Sequence, residues 1–200
     1  MKTAIAGAVL TVLSLSLPVA AATTTRYQFK GQNASASFSQ YDECNSKYIS
    51  VFAFTSRTKD APGAPTEQMG AELYISNYNS CTGESSSGYG TSPNAKFTID
   101  NQLNSATLTG TFPVSDYSSG ITKTVNVNLT WTGTGSSTKG RNNSFYQTPT
   151  SVSRYRSNGE YRDAQISGNI TLDNTNLITN TTSYATLSSS TSGSYERITR

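Results

Sequence analysis

The 200-residue sequence contains no histidine. This absence excludes the most common general base, the usual catalytic triad and most zinc sites. The sequence has two cysteines, Cys44 and Cys81, and if they are paired no thiol nucleophile remains. Paired carboxylates, as in glycosidases, are then the familiar hydrolytic scheme that the composition leaves open.

Charged and aliphatic residues are also scarce. Charged residues make up 14% of the chain, and the formal net charge is +3, which is too weak to indicate a nucleic-acid or anionic-membrane partner. Leu, Ile, Val and Phe form only about 15% of residues 23–200, close to the disordered range, but disorder also requires a high net charge. Twelve tyrosines and Trp131 compensate. We therefore expect a thin, ordered core rich in rings and hydroxyls.

The longest apolar run lies at the start of the chain. Met1-Lys2-Thr3 is followed by an apolar stretch to Val19 and then by Ala20-Ala21-Ala22. This pattern predicts a secretory signal peptide over residues 1–22, with cleavage before Thr23. Residues 23–200 are then expected to form a single domain, secreted to the extracellular space or the periplasm. No later run approaches the ~20 apolar residues that a membrane-spanning helix needs, so no membrane span is expected.

An oxidising compartment favours a disulfide between Cys44 and Cys81. Cys44 lies just before a predicted strand, and Cys81 lies just after another. If these two strands form an antiparallel hairpin, the disulfide joins its open end, where the Cα atoms can approach to ~5.5 Å.

Period-two alternation is the dominant pattern and predicts β-strands with one buried and one solvated face. The segment around Trp131 is an example, with Val125, Val127, Leu129 and Trp131 on one face. Residues 47–55 have apolar side chains on both faces, which predicts a central strand. Residues 82–93 and 133–143 are rich in Gly, Ser and polar residues and are predicted to be loops. About ten strands indicate an all-β antiparallel sandwich of jelly-roll type, with a closed β-barrel as the alternative. The predicted strands are 26–30, 34–40, 47–55, 71–78, 95–100, 106–112, 124–131, 163–172, 183–187 and 195–199.

The most distinctive segment is residues 154–163, which contains Asn158-Gly159, a strong signal for a two-residue hairpin turn. A turn there would set Arg156 opposite Tyr161 and Tyr155 opposite Arg162. Such cross-strand pairs can be purely structural. The functional interpretation makes Arg156 and Tyr161 a joint solvent-facing patch for a sugar or an anionic polymer.

Three segments resemble motifs of small secreted bacterial β-rich proteins of unassigned function. They are Leu103-Asn104-Ser105-Ala106-Thr107-Leu108, Leu129-Thr130-Trp131-Thr132-Gly133-Thr134-Gly135 and Arg162-Asp163-Ala164-Gln165-Ile166-Ser167-Gly168. The resemblance implies secretion and a single domain, and it supplies no active site.

The sequence shows no recognised catalytic motif, metal site or cofactor site. The first hypothesis is therefore a secreted, non-catalytic binding or surface-associated protein, whose partner is a carbohydrate or another extracellular protein. One alternative is a secreted, carboxylate-dependent polysaccharide hydrolase. Another is an extracellular inhibitor or interaction protein that presents one loop. Two carboxylates ~5–10 Å apart across a cleft would favour the hydrolase, whereas a row of exposed tyrosines would favour the binding protein.

Overall fold

The computed structural model describes residues 22–198, and this part of the chain forms β-strands and no helix. Every pair of neighbouring strands is antiparallel. The all-β antiparallel class predicted from the alternation is therefore confirmed. The described strands are β1 (Thr23–Tyr41), β2 (Asn45–Ala61), β3 (Thr66–Asn79), β4 (Ser85–Thr91), β5 (Lys96–Ile99), β6 (Ser105–Asp116), β7 (Thr122–Gly133), β8 (Thr138–Gln147), β9 (Ser151–Leu172), β10 (Thr175–Asn176) and β11 (Thr182–Ile198).

Backbone pairing joins all these strands in one 11-stranded sheet. Neighbouring strands run in the order β9, β11, β1, β2, β3, β4 and β6, and β7 pairs with both β6 and β9. The pairing thus returns to its starting strand through a short contact between β4 and β6, at Gly88↔Asp116 and Tyr89↔Ser115. The finer types predicted from the sequence, a jelly-roll sandwich and a closed barrel, stay predictions.

One apolar core lies on the inner face of this circuit of strands. Trp131 is fully buried, and its Nε1 donates a hydrogen bond of 2.8 Å to the Ser35 carbonyl. Its one polar atom is therefore satisfied, as a buried donor must be. Val125, Val127 and Leu129 are buried on the same face of β7, which confirms the predicted orientation of that strand. Other buried members include Phe38, Ile49, Leu73, Leu108, Phe112, Ile170 and Leu187.

Five strands continue beyond the core, and we call this region the sheet extension. It comprises residues 23–32 of β1, 55–61 of β2, 151–160 of β9, 189–198 of β11 and all of β8. Every residue of β8 is exposed, and no residue of β1 before Gly31 is buried. Backbone pairing nevertheless continues to Thr23↔Ile198. The extension is therefore held mainly by hydrogen bonds between strands, and solvent reaches both of its faces.

Two segments predicted to be loops contain strands instead. Residues 82–93 contain β4, and residues 133–143 contain the beginning of β8. In β4, a Cβ added to Gly90 would lie 2.5 Å from the Pro113 carbonyl oxygen, so glycine permits a close approach to β6. In β8 both faces are exposed, so no apolar alternation marks the strand.

The predicted hairpin at Asn158-Gly159 is wrong. β9 passes through this dipeptide without interruption, because Asn158 pairs with Arg141 on β8 and with Thr191 on β11. Neighbouring strands on both sides hold the backbone extended, and this pairing overrides the local preference for a turn. Tyr155 therefore does not face Arg162, and Arg156 does not face Tyr161.

The Cys44–Cys81 disulfide is confirmed, with a Cα–Cα distance of 5.4 Å. It joins the start of β2 to the end of β3, next to the pair Asn45↔Asn79, and so closes the open end of this hairpin as predicted. Within residues 22–198, no helix has the length and apolar character to cross a membrane. The predicted signal peptide lies outside the described residues except for its last position, Ala22.

Candidate functional site

The outer face of the sheet, opposite the core, carries a row of rings and hydroxyls across neighbouring strands. The pairing register aligns Tyr184 of β11, Ser37 of β1, Ser50 of β2, Tyr74 of β3 and Tyr89 of β4. Adjacent strands lie about 4.8 Å apart, so the row extends about 19 Å along the sheet. It offers ring positions at both ends and a strip of hydroxyls between them.

Five rings gather on β2, β3 and β4 at one end of this row, and we call them the aromatic platform: Tyr48, Phe52, Phe54, Tyr74 and Tyr89. The ring centroids of Tyr48 and Tyr74 are 6.4 Å apart, and those of Phe52 and Phe54 are 5.9 Å apart. Tyr48, Phe52 and Tyr89 remain 41%, 38% and 36% exposed. A cluster of exposed rings often marks an interaction site.

Strand alternation explains why these rings face solvent. In β2, Ile49, Val51 and Ala53 fill the core, so Tyr48 and Phe52 must point to the other face. The predicted central position of residues 47–55 is confirmed, because β2 pairs with both β1 and β3. The second apolar face of this strand was visible in the sequence, but its exposure depends on the whole sheet.

Glu72 adds a carboxylate beside the platform, since it pairs with Phe52 on one side and Thr91 on the other. Partial burial raises the pKa of the Tyr89 hydroxyl, and the negative charge of Glu72 raises it further. Tyr89 therefore stays a neutral phenol at physiological pH. The platform thus combines apolar ring surface, hydrogen-bond donors and one acidic acceptor.

Tyr161, one of the two residues predicted to bind a ligand, lies on this same outer face. Its hydroxyl donates a 2.6 Å hydrogen bond to Asp163 and also contacts the Tyr184 hydroxyl. The hydrogen bond to Asp163, followed by the one with Tyr184, raises the pKa of Tyr161. Tyr161 and Tyr184 are 39% and 60% exposed. These two rings flank the hydroxyl strip on the side opposite the platform.

Arg156, the other residue predicted to bind a ligand, points to the opposite side of the sheet. It is five positions from Tyr161 in an uninterrupted strand, and successive side chains of a strand alternate between faces. Arg156 aligns with Asn143 on β8 and with Gly193 on β11. The prediction that Arg156 and Tyr161 form a joint patch is therefore wrong, because it depended on the hairpin register.

A groove of about 540 Å³ at the disulfide end of the molecule contains two carboxylates, Asp42 and Glu84. Asp42 Oδ1 accepts hydrogen bonds from the backbone N–H and the side-chain amide of Asn45, at 3.0 and 2.9 Å. Glu84 accepts one from the Thr82 hydroxyl at 3.2 Å. Each carboxylate thus holds a local turn. Within residues 22–198, no group of three or more His, Cys, Asp or Glu side chains is placed to hold a metal ion.

No family model matches this chain, and no curated protein does. Among solved structures, the chain is similar to a crystal structure of a Nitrosomonas europaea protein provisionally assigned as AttH, with 8% sequence identity and a TM-score of 0.34. The match covers 86% of this chain and 52% of that one, so this chain spans about half the length of the structure it matches. A similarity of this size assigns neither a fold family nor a function.

Proposed function

We propose that this protein is a secreted, non-catalytic binding protein whose ligand is a carbohydrate polymer. The observation that supports the proposal is the aromatic platform, where exposed rings lie beside a row of hydroxyls on one face of the sheet. Tyr48, Phe52 and Tyr89 carry the largest exposed surfaces of the platform.

The chemistry of a sugar fits this surface. A pyranose presents an apolar C–H face that packs on an aromatic ring, and its rim of hydroxyls requires donors and acceptors. On this protein, Tyr74 and Tyr89 supply rings and phenol hydroxyls, Glu72 supplies an acceptor, and Ser37 and Ser50 continue the polar strip. Tyr161 and Tyr184 offer a further ring position, so a chain of several sugar units suits the row better than a single sugar.

The disulfide supports the proposed location, because such bonds persist mainly in oxidising compartments. The signal peptide predicted for residues 1–22 accords with export. Extracellular and periplasmic locations are both compatible with these features.

The experiment is a binding assay with soluble neutral polysaccharides, namely xylan, mixed-linkage β-glucan, amylose and mannan. We expect residues 23–200 to bind at least one of them. Tyr48→Ala/Phe52→Ala should weaken that binding about tenfold or more, which corresponds to loss of ~1.4 kcal/mol. The matched control is Tyr146→Ala, which removes a 65% exposed ring from β8 and should leave binding unchanged. The proposal would be rejected if the protein bound none of the four polymers. It would also be rejected if Tyr48→Ala/Phe52→Ala bound as tightly as the parent protein.

A second candidate function is the carboxylate-dependent hydrolase, and its site would be the groove at the disulfide end. Asp42 and Glu84 are the two acids that line it. If the protein cleaves one of the four polysaccharides, Glu84→Gln should abolish the release of reducing ends while Tyr146→Ala preserves it. The inhibitor hypothesis stays a prediction from the sequence.

A further inference from the structure

The inner face of the sheet extension gathers most of the cations of the chain. The pairing register of the core strands continues into the sheet extension. Side chains that continue the alternation of the buried core residues along each strand therefore lie on one side of the sheet. We call this side the basic face. Nine of the 15 Lys and Arg residues of the sequence lie on it: Arg26, Lys30, Arg57, Lys59, Lys139, Arg141, Arg154, Arg156 and Arg197.

Acidic residues balance few of these charges. Glu67 Oε1 lies 3.7 Å from Arg57 Nε, and Glu160 Oε1 lies 3.5 Å from Lys139 Nζ. Within the described residues, these are the two ion pairs of the basic face. The opposite side of the extension carries Asp60 and Glu196 and, in the same described part of the chain, no Lys or Arg. The extension is therefore strongly polarised, although the net charge of the whole chain is only +3.

Arginines and rings alternate across the basic face. The register aligns Phe145 of β8, Arg154 of β9, Tyr195 of β11 and Arg26 of β1. The Arg154 guanidinium lies 5.1 Å from the centre of the Phe145 ring, and that of Arg26 lies 5.5 Å from the centre of the Tyr195 ring. These contacts orient the guanidinium groups. Their N–H donors remain suited to paired hydrogen bonds with carboxylate or sulfate groups.

Gly193 leaves an open path through the middle of this face. It lies between Arg156 on β9 and Gln28 on β1, and two grooves of about 590 and 560 Å³ both include these three residues. A Cβ added to Gly193 would meet one neighbouring atom at an ordinary distance, 3.5 Å from the Tyr27 carbonyl oxygen. Neither steric crowding nor a positive φ requires glycine here, yet a larger side chain would obstruct the path.

We propose that the basic face is a second binding surface, separate from the aromatic platform, and that it takes an acidic polysaccharide along the path beside Arg154, Arg156 and Gly193. The charge complementarity is direct, because the face has seven more cations than acids and an acidic polysaccharide carries regularly spaced anionic groups. The choice of a polysaccharide among polyanions rests on the proposed function.

The rings of this face argue against recognition of single-stranded nucleic acid. Such recognition relies on bases that stack on open aromatic faces. On this face, Arg154 covers one side of the Phe145 ring and Arg26 covers one side of the Tyr195 ring. The surface therefore offers charge and hydrogen bonds in preference to stacking, which suits the uronate groups of an acidic polysaccharide.

The test compares binding of residues 23–200 to polygalacturonate and alginate at low and moderate salt. We expect binding to both that weakens as salt rises, since exposed charges are screened. Arg154→Gln/Arg156→Gln should weaken it about tenfold or more. The matched control, Lys96→Gln/Lys123→Gln, removes the same charge from exposed sites on β5 and β7 and should have less than about a twofold effect. Gly193→Leu should weaken binding without changing the charge.

Two further comparisons separate this inference from the proposed function. Tyr48→Ala/Phe52→Ala should leave polygalacturonate binding unchanged, and Arg154→Gln/Arg156→Gln should leave binding of the neutral polymer unchanged. If the parent protein binds polygalacturonate but none of the four neutral polymers, the proposed function is overturned and the basic face is not. Equal loss of polygalacturonate binding in the Arg and Lys double variants would overturn the basic face. Tighter binding to single-stranded DNA, duplex DNA or phosphatidylglycerol vesicles than to either acidic polysaccharide would overturn the assigned partner.

Discussion

Arg162 lies on the inner face of β9, where its guanidinium reaches the loop that follows β5. Its Nη1 donates a 2.6 Å hydrogen bond to Asn104 Oδ1, and its side chain packs against Gly133, where an added Cβ would lie 2.9 Å from its Cδ. The loop itself is held by Asp100, which accepts hydrogen bonds from the backbone N–H groups of Gln102 and Asn104. These hydrogen bonds, that of Gln102 first, lower the pKa of Asp100. The hairpin predicted from the sequence set Arg162 opposite Tyr155, which lies on the other face of the strand.

Arg162→Ala should lower the free energy of unfolding by about 1–3 kcal/mol, because Asn104 loses its charged partner and packing at Gly133 is lost. Arg156→Ala, in an exposed part of the same strand, should change it by less than about 1 kcal/mol. Urea denaturation of the two variants measures the difference. Equal effects would show that the Arg162 contact contributes nothing specific.

The raised pKa of Tyr161 predicts that the protein loses stability at alkaline pH. The hydrogen bonds to Asp163 and Tyr184 raise its pKa in the folded protein, so the folded state holds the phenol proton more tightly than the unfolded chain does. This contribution is complete below the unfolded pKa of about 10 and is lost as the pH rises above it. Tyr161→Phe should therefore lose less stability between pH 9 and 11 than the parent protein. Tyr155→Phe on the same strand serves as the control, and parallel curves for all three proteins would refute the coupling.

At the scale of single strands, β9 gives a direct test of why the hairpin prediction failed. A type I′ turn would require a positive φ at Gly159, whereas a strand does not. In the structure Gly159 has no positive φ, and an added Cβ would lie 4.0 Å from the nearest atom, the Ser189 carbonyl oxygen. Gly159→Val should therefore change the free energy of unfolding by less than about 0.5 kcal/mol, or increase it.

Gly168, in the same strand, is the matched position where glycine is required. Its φ is +119°, and an added Cβ would lie 2.0 Å from the Asn128 carbonyl oxygen. Gly168→Ala should cost about 2–3 kcal/mol. Thermal or urea unfolding of both variants checks the pair of predictions, and a larger cost at Gly159 than at Gly168 would restore the hairpin.

Strands with one buried face could be predicted from the sequence, whereas β4 and β8 could not. Residues 124–131 alternate apolar and polar side chains because one face fills the core, so they were assigned correctly. β4 was missed because its inward positions are Gly88 and Gly90. β8 was missed because neither of its faces is buried. A different signal was present there: cations recur at every second position, at Lys139 and Arg141, and this spacing marks one face of a strand.

The candidate sites were less predictable than the strands, because each depends on which strands become neighbours. Tyr48 and Phe52 could be assigned to one face of a strand, but the sequence did not show that Tyr74 and Tyr89 would lie beside them. Arg156 and Tyr161 were selected correctly as exposed residues and were placed together wrongly. The false turn at Asn158-Gly159 set these two side chains on the same face. The uninterrupted strand sets them on opposite faces, because successive side chains of a strand alternate.

At the scale of the whole molecule, the core and the basic face are separated along the strands. Trp131, Leu129 and Ile170 are fully buried at one end of the sheet, whereas the basic face occupies the extension at the other end. Local opening of a region costs less where few apolar groups are buried. The extension should therefore open without disrupting the core.

Native-state hydrogen exchange should reveal this gradient. Amides of residues 125–131 in β7 and 166–170 in β9 should exchange only through global unfolding, since their strands enclose the core. Amides of β8 should exchange fastest, because β8 is fully exposed and pairs with β9 alone. Residues 152–160 of β9 should be intermediate, since β8 and β11 pair with them on both sides. Asn158 and Gly159 should be as protected as their neighbours, whereas a turn would leave them unprotected. Uniform protection from β7 to β8 would contradict the separation and show that the extension unfolds only together with the core.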